Sequence, residues 1–177
     1  MKVVGVAGAL AGWKTNVIVH HTLKALEKND SNLKTELIDL RDVEVEFARG
    51  EPLAFYNDDT FDVVNKLLAA DILVFGTPIY QASISGALKN LLDHLPVDAF
   101  KRKITGIVAT GSIDRHALVP DYHLKPVLVY LKGTVPSTTV FVENSAFSDV
   151  NEILDERVVE RMDQLAQEML QLQQAGL

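Results

Sequence analysis

From end to end, short runs rich in β-branched and apolar residues alternate with longer runs of helical period, and this alternation constrains the fold more than any other feature. The strand candidates lie at 2–7, 34–40, 71–76, 104–109 and 138–142, and most are too continuously apolar to leave one face in water. Such runs belong in a parallel sheet covered by helices on both sides. Between them, Ile84, Ala87, Leu88, Leu91, Leu92 and Leu95 form one helical stripe, and Leu154, Val158, Met162, Leu165, Met169 and Leu172 another. Residues 15–28 and 59–69 make two more helices, and 119–132 a less regular one because Pro126 falls inside it. A proline there lacks a donor, and its ring meets the carbonyl of Tyr122 four residues back, so a kink or bulge is expected near Tyr122. The expectation is a single α/β domain over residues 1–177, with its longest loop at 47–58.

Composition removes several classes of chemistry. The 177 residues are 47% hydrophobic and carry a formal net charge of -7, with no block of Lys and Arg beyond Lys101, Arg102 and Lys103, which read as a loop. That balance argues against nucleic acid and anionic membrane as partners. With no cysteine, thiol nucleophiles, Fe–S clusters, Cys-type zinc sites and disulfides are excluded, in keeping with a reducing cytoplasm. Met1 and Lys2 before an apolar run containing Ala9, Leu10 and Ala11 superficially resemble a signal peptide, but Val3, Val4 and Val6 followed by glycines read better as a buried first strand entering a turn. No run is long enough to span a membrane.

In open parallel sheets, ligands sit beyond the carboxyl ends of the strands, which here directs attention to residues 8–16, 77–83 and 110–116. The first of these joins a buried strand to a helix start, where exposed N–H groups and the dipole favour an anion. Gly8, Lys14, Thr15 and Asn16 are its candidate binding residues, with an ordinary glycine turn capped by Thr15 or Asn16 as the plainer reading. The loop nearly spells a P-loop, but Trp13 stands where the second glycine belongs and obstructs a backbone wrap around phosphates. Asp39 is the best stand-in for a magnesium-holding carboxylate, so a P-loop-like phosphotransferase is a minor alternative. In the second loop, Pro78 fixes φ, Tyr80 offers a flat ring to a planar ligand, Ser83 is a helix cap, and Gly86 allows close backbone approach.

Thr77 through Asp93 matches the pattern T-P-x-Y-x-x-S-x-x-G-x-L-K-N-x-L-D, and here the chain resembles the NAD(P)H-dependent FMN reductase family. The resemblance continues through Ala109, Thr110, Gly111 and Ser112 and through 121–128, which are similar to the flavin reductase subgroup of alkanesulfonate utilisation. It implies a flavodoxin-like three-layer sandwich with a five-stranded parallel sheet in the order 2-1-3-4-5. It also implies hydride transfer from NADPH or NADH to FMN, with electrons passed to a flavin-dependent monooxygenase, a quinone or an azo compound. A non-enzymatic flavodoxin-type electron carrier is the alternative within that fold. The resemblance places Pro78, Ile79 and Tyr80 along the isoalloxazine, Thr110, Gly111 and Ser112 at its pyrimidine edge, and the first loop at the FMN phosphate.

In that loop the family pattern G-S-x-R-x-x-S is broken by Ala9 and Ala11. A lost charged hydrogen bond to phosphate costs about 1.5–3 kcal/mol, so loosely held FMN is expected unless Lys14, Thr15 and Asn16 compensate. The resemblance further assigns Lys89 and Asp93 to a subunit interface and the helix around Tyr122, as a π-bulge, to a homodimer or homotetramer contact. No metal site is expected: His20 and His21 are adjacent on a helix and diverge, and His116 and His123 are too far apart to share a ligand. No catalytic acid or base is placed by motif, and Ser83 and Ser85 lack a nucleophile-elbow setting.

Overall fold

The computed structural model describes residues 1–176. Its elements are β1 (Lys2–Ala7), α1 (Lys14–Asn29), β2 (Lys34–Asp39), α2 (Asp58–Ala69), β3 (Ile72–Tyr80), β4 (Ser83–Ile84), α3 (Gly86–Asp93), β5 (Ile104–Gly111), α4 (Lys125–Tyr130), β6 (Val140–Glu143) and α5 (Glu156–Gln174). The sheet runs β2-β1-β3-β5-β6 with every neighbour parallel, and β4 pairs antiparallel with β3. The five parallel strands alone therefore take the order 2-1-3-4-5, and the two-residue β4 is an addition that periodicity cannot announce.

Alternation along each strand sends side chains to two separate cores, which is why the strands read as continuously apolar. Val3 and Ala7 of β1 pack with Ile72 and Val74 of β3 against α1 and α5, while Val4 and Val6 pack with Leu73 and Phe75 against α2, α3 and α4. The sandwich thus has three layers. Among the described residues no helix is long and apolar enough to cross a membrane.

The disturbed helix resolves into a 3-10 turn (Asp114–Leu118), a π-helical turn (Pro120–Leu124) and α4. The Lys125 N–H reaches the Pro120 carbonyl, a five-residue step, so the widened turn absorbs the donor that Pro126 lacks. The segment at 40–57 is longer than the loop expected at 47–58 and includes only a short 3-10 turn at Leu53–Phe55. It is pinned from α3. Buried Asn90 accepts from the Ala48 N–H at 2.9 Å and donates to the Glu46 carbonyl at 2.9 Å, and His94 Nε2 lies 2.8 Å from that same oxygen. Replacing Asn90 by Ala leaves the Ala48 N–H without its partner and the Glu46 carbonyl with His94 alone, and should cost about 1–3 kcal/mol. Urea unfolding will measure that cost, and faster amide exchange at Ala48 will localise it.

Candidate functional site

The carboxyl ends of β1 and β3 are tied to the start of α3 by one serine. Ser85 caps α3 by accepting from the Leu88 N–H at 3.0 Å, donates through the same hydroxyl to the Gly8 carbonyl, and sends its own N–H to Thr77 Oγ1 at 3.0 Å. The cap is therefore Ser85 and not Ser83. β3 continues through the segment read as a loop as far as Tyr80, then reverses into β4 through Gln81 and Ala82, at φ 47 and 57. Two consecutive positive φ values are those of a type I′ hairpin turn, adopted here without glycine at a cost of about 1–3 kcal/mol per residue. Pro78 is tolerated in this strand for a local reason. The Gly76 carbonyl faces β1, where it accepts from the Gly8 N–H, and Pro78, two residues on, faces the same side beyond the end of β1.

A cavity of about 400 Å³ opens where the ends of β1, β3 and β5 meet, lined by Lys14 and Thr15 from the start of α1, Pro78, Ile79 and Tyr80 from β3, and Thr110, Gly111 and Ser112 from β5. Thr15 Oγ1 and Thr110 Oγ1 are 3.4 Å apart, so the first and third loops touch. Ile79 is buried and Tyr80 is 53% exposed, so the hairpin offers an apolar wall with an aromatic ring at its rim.

Three sequence candidates lie elsewhere. Gly8 packs against α3, where a Cβ would come within 2.7 Å of the Gly76 carbonyl and 2.9 Å of Leu88 Cβ, so its smallness serves packing. Asn16 Nδ2 donates to Asp39 Oδ2 at 2.6 Å, and Ser83 Oγ is 3.0 Å from His123 Nδ1. Neither lines the cavity. Gly86 meets open space, so no close backbone approach explains it. Trp13, and neither Thr15 nor Asn16, is the N-cap of α1, without a side-chain cap bond.

Sequence reading missed the fourth strand end. Asn144 and Asn151, from the chain following β6, complete the lining, and Lys14 Nζ donates to the Asn144 carbonyl at 3.2 Å. The carboxyl-end rule that singled out three loops applies to β6 equally and was the available signal.

The electrostatics suit an anion. The first turn of α1 contains no acidic residue, the cavity lining has one lysine and no carboxylate, and the 16-residue helix directs its N-terminus there. A larger hollow of about 960 Å³ beside β6 and the start of α5 is lined by Asp114, Glu143, Asp155 and Glu156 against Arg157 and Arg161, a balance hostile to phosphate. Both oxygens of Asp39 are taken by Arg41 and Asn16. Burial pulls its carboxyl up, but the hydrogen bonds from Arg41 and Asn16 and the Arg41 charge outweigh it and hold the group below the ordinary carboxylate range. No group of His, Asp and Glu that could hold a metal occurs among the described residues. The donor set and the apolar wall thus fit a planar ring joined to a phosphate.

A family model described as NADPH-dependent FMN reductase matches residues 1–147. The chain belongs to the NADPH-dependent FMN reductase family. An NAD(P)H-dependent FAD/FMN reductase of Geobacillus thermodenitrificans is 38% identical over 172 residues, covering 97% of this chain and 93% of that protein. Among solved structures, an NADH:FMN oxidoreductase in its apo form superposes with a TM-score of 0.78 at 26% identity, covering 95% of this chain and 89% of the other. An archaeal flavodoxin superposes at 0.65 with 10% identity over 99% of each chain and speaks for the flavodoxin-like fold alone. As in that fold, the reductase-family chain places its cavity at the strand ends where the sheet order reverses about β1 and β3.

Proposed function

We infer that this chain is an NAD(P)H-dependent FMN reductase that uses FMN as an exchangeable substrate. The observation that carries the reading is the single cavity joining Lys14 and Thr15 at the α1 N-terminus to the Pro78, Ile79 and Tyr80 wall and the Thr110, Gly111 and Ser112 turn. In this reading Lys14, Thr15 and the α1 N–H groups take the phosphate, the β3 wall carries the ring, and the β5 turn supplies backbone donors and the Thr110 and Ser112 hydroxyls to its polar edge. Bound FMN supplies a ring that accepts hydride from reduced nicotinamide. The chain's own part is to orient that ring, shield one face with Ile79, and leave the other open beside Tyr80.

Loose retention follows from what the structure commits elsewhere. Asn16, one of three residues that could compensate for the missing family Ser and Arg, is held by Asp39. Reduced flavin is then free to pass to a flavin-dependent partner such as a monooxygenase, or to a small acceptor such as a quinone or azo compound, in the cytoplasm. The same reading takes the chain to be a homo-oligomer. Lys89 Nζ and Asp93 Oδ1 form a 2.6 Å pair on α3, and Tyr122 and Tyr130 stand 71% and 63% exposed along the π-turn and α4. A monomeric mass in solution contradicts that part alone.

Titrating flavin-stripped protein with FMN while following NADPH and NADH oxidation tests the function. Turnover should keep rising well beyond one equivalent of FMN. Saturation near one equivalent replaces the substrate reading with a bound-cofactor oxidoreductase, and no oxidation at any FMN level overturns the reductase.

A further inference from the structure

Trp13 is the chain's one tryptophan, and it stands 59% exposed on the cavity lining at the start of α1. Its indole is nonetheless held in place. The Arg41 guanidinium lies 3.7 Å from the ring centroid and covers one face. That guanidinium is fixed in turn, because Arg41 Nε donates to Asp39 Oδ1 at 2.9 Å and Nη2 to Asp39 Oδ2. Asp39 is buried and also accepts from Asn16 Nδ2 on α1 itself. A four-residue relay between β2 and α1 thus holds a large aromatic ring with its second face uncovered, where burying it inward would have been the ordinary use of a tryptophan.

We propose that Trp13 is a stacking platform for an adenine ring, joined through phosphate to the nucleotide in the cavity; the proposal rests on the flavin and nicotinamide reading above. Position selects this ligand. Trp13 directly precedes Lys14 and Thr15, so it stands at the anion end of the cavity, with the Pro78, Ile79 and Tyr80 wall coming from another strand. A ring stacked on Trp13 is therefore the one attached beyond the phosphate, and in both FAD and NADPH that ring is adenine. The absence of carboxylates from the lining leaves room for a pyrophosphate beside Lys14. The same tryptophan whose bulk prevents a close backbone wrap around phosphates supplies a π-face to the group that follows them. Two sources share this chemistry: the adenine of a flavin dinucleotide and that of the nicotinamide nucleotide.

Because the chain has one tryptophan, the platform reports on itself. ADP does not absorb indole emission, so energy transfer plays no part in its effect, and flavin-stripped protein should show saturable quenching by ADP. Variants then identify the source. If adenine arrives with the flavin, Trp13→Leu weakens FAD about tenfold relative to FMN; if it arrives with the nicotinamide nucleotide, the same variant raises KM for NADPH about tenfold in FMN-saturated protein while kcat holds. Trp13→Phe, which keeps a stacking face, should recover most of either loss. Tryptophan emission indifferent to millimolar ADP overturns the platform, as does quenching without either shift in Trp13→Leu. Flavin binding is read separately from flavin fluorescence. Bound FMN and NADPH oxidation with emission silent to ADP sink the platform alone, whereas a protein that binds no flavin sinks the reductase reading and takes the adenine assignment with it.

Discussion

Replacing Asp39 by Ala is expected to destabilise the protein by about 3 kcal/mol and to weaken flavin binding at the same time. The carboxylate is buried and receives Arg41 Nε, Arg41 Nη2, the Arg41 N–H and Asn16 Nδ2. Removing it strands a guanidinium whose side chain is only 16% exposed, and breaking one side of a buried pair costs about 3–5 kcal/mol, toward the lower figure where water can still reach the cation. The first loop suffers too, since Asn16 is the second residue after Lys14 and Asp39 is its anchor. Urea unfolding monitored by far-UV circular dichroism gives the first effect, and FMN titration the second.

The pH dependence follows from the same bonds. Asp39 is held below the ordinary carboxylate range, so at acid pH the unfolded chain binds a proton that the folded chain refuses, and stability falls as pH falls. The contribution is complete above about pH 4, the unfolded value, and is lost as pH drops through the lower folded value. The stability gap between wild type and Asp39→Asn should therefore be flat from neutral pH to about 4 and close below it. A gap that closes already near neutrality contradicts the assignment.

The second large effect is expected at Gly76, in the strand at the centre of the sheet. A Cβ there would lie 2.2 Å from Val19 Cγ2 and 3.2 Å from both Thr15 Cγ2 and the Val6 carbonyl. The first distance is far inside contact, so α1 must lift from the sheet when Gly76 becomes Ala. Overpacking of this kind costs about 1–3 kcal/mol, and the rigid β-branched Val19 places this site at the upper end. Because Thr15 both meets the new methyl group and lines the cavity, loss of stability should come with weaker FMN binding, read by flavin fluorescence. Gly86→Ala is the control: its Cβ meets open space at the start of α3, and it should be neutral or stabilising by up to about 1 kcal/mol. Equal losses at the two glycines would mean that chain flexibility, and not α1 contact, is what Gly76 provides.

Much of this was legible before any coordinates. The two-sided burial of the strands, the order of elements and the loops facing a ligand follow from apolar periodicity and from the parallel-sheet rule. The disturbance near Tyr122 follows from a covalent fact, that Pro126 has no N–H, and the π-turn at Pro120–Leu124 is how the backbone answers it. The motif from Thr77 to Asp93 pointed to the family, but it mixed two kinds of residue. Pro78, Ile79 and Tyr80 line the cavity, whereas Asn90 of the same motif fastens the segment at 40–57.

What the sequence determined by itself is therefore the layered α/β architecture, three of the four strand ends around the cavity and the anion-favouring start of α1, because each depends on neighbours in the chain. Tertiary structure alone decided which polar side chains remain for a ligand. Asn16 goes to Asp39 across 23 positions, Ser83 meets His123 across 40, and Lys14 reaches the Asn144 carbonyl across 130. It also decided that Ser85 caps α3 and that Arg41 lies under Trp13. The physical reason is that a hydrogen-bonding side chain takes whichever partner folding brings within about 3 Å, and local periodicity, which records burial, contains no information about that distance.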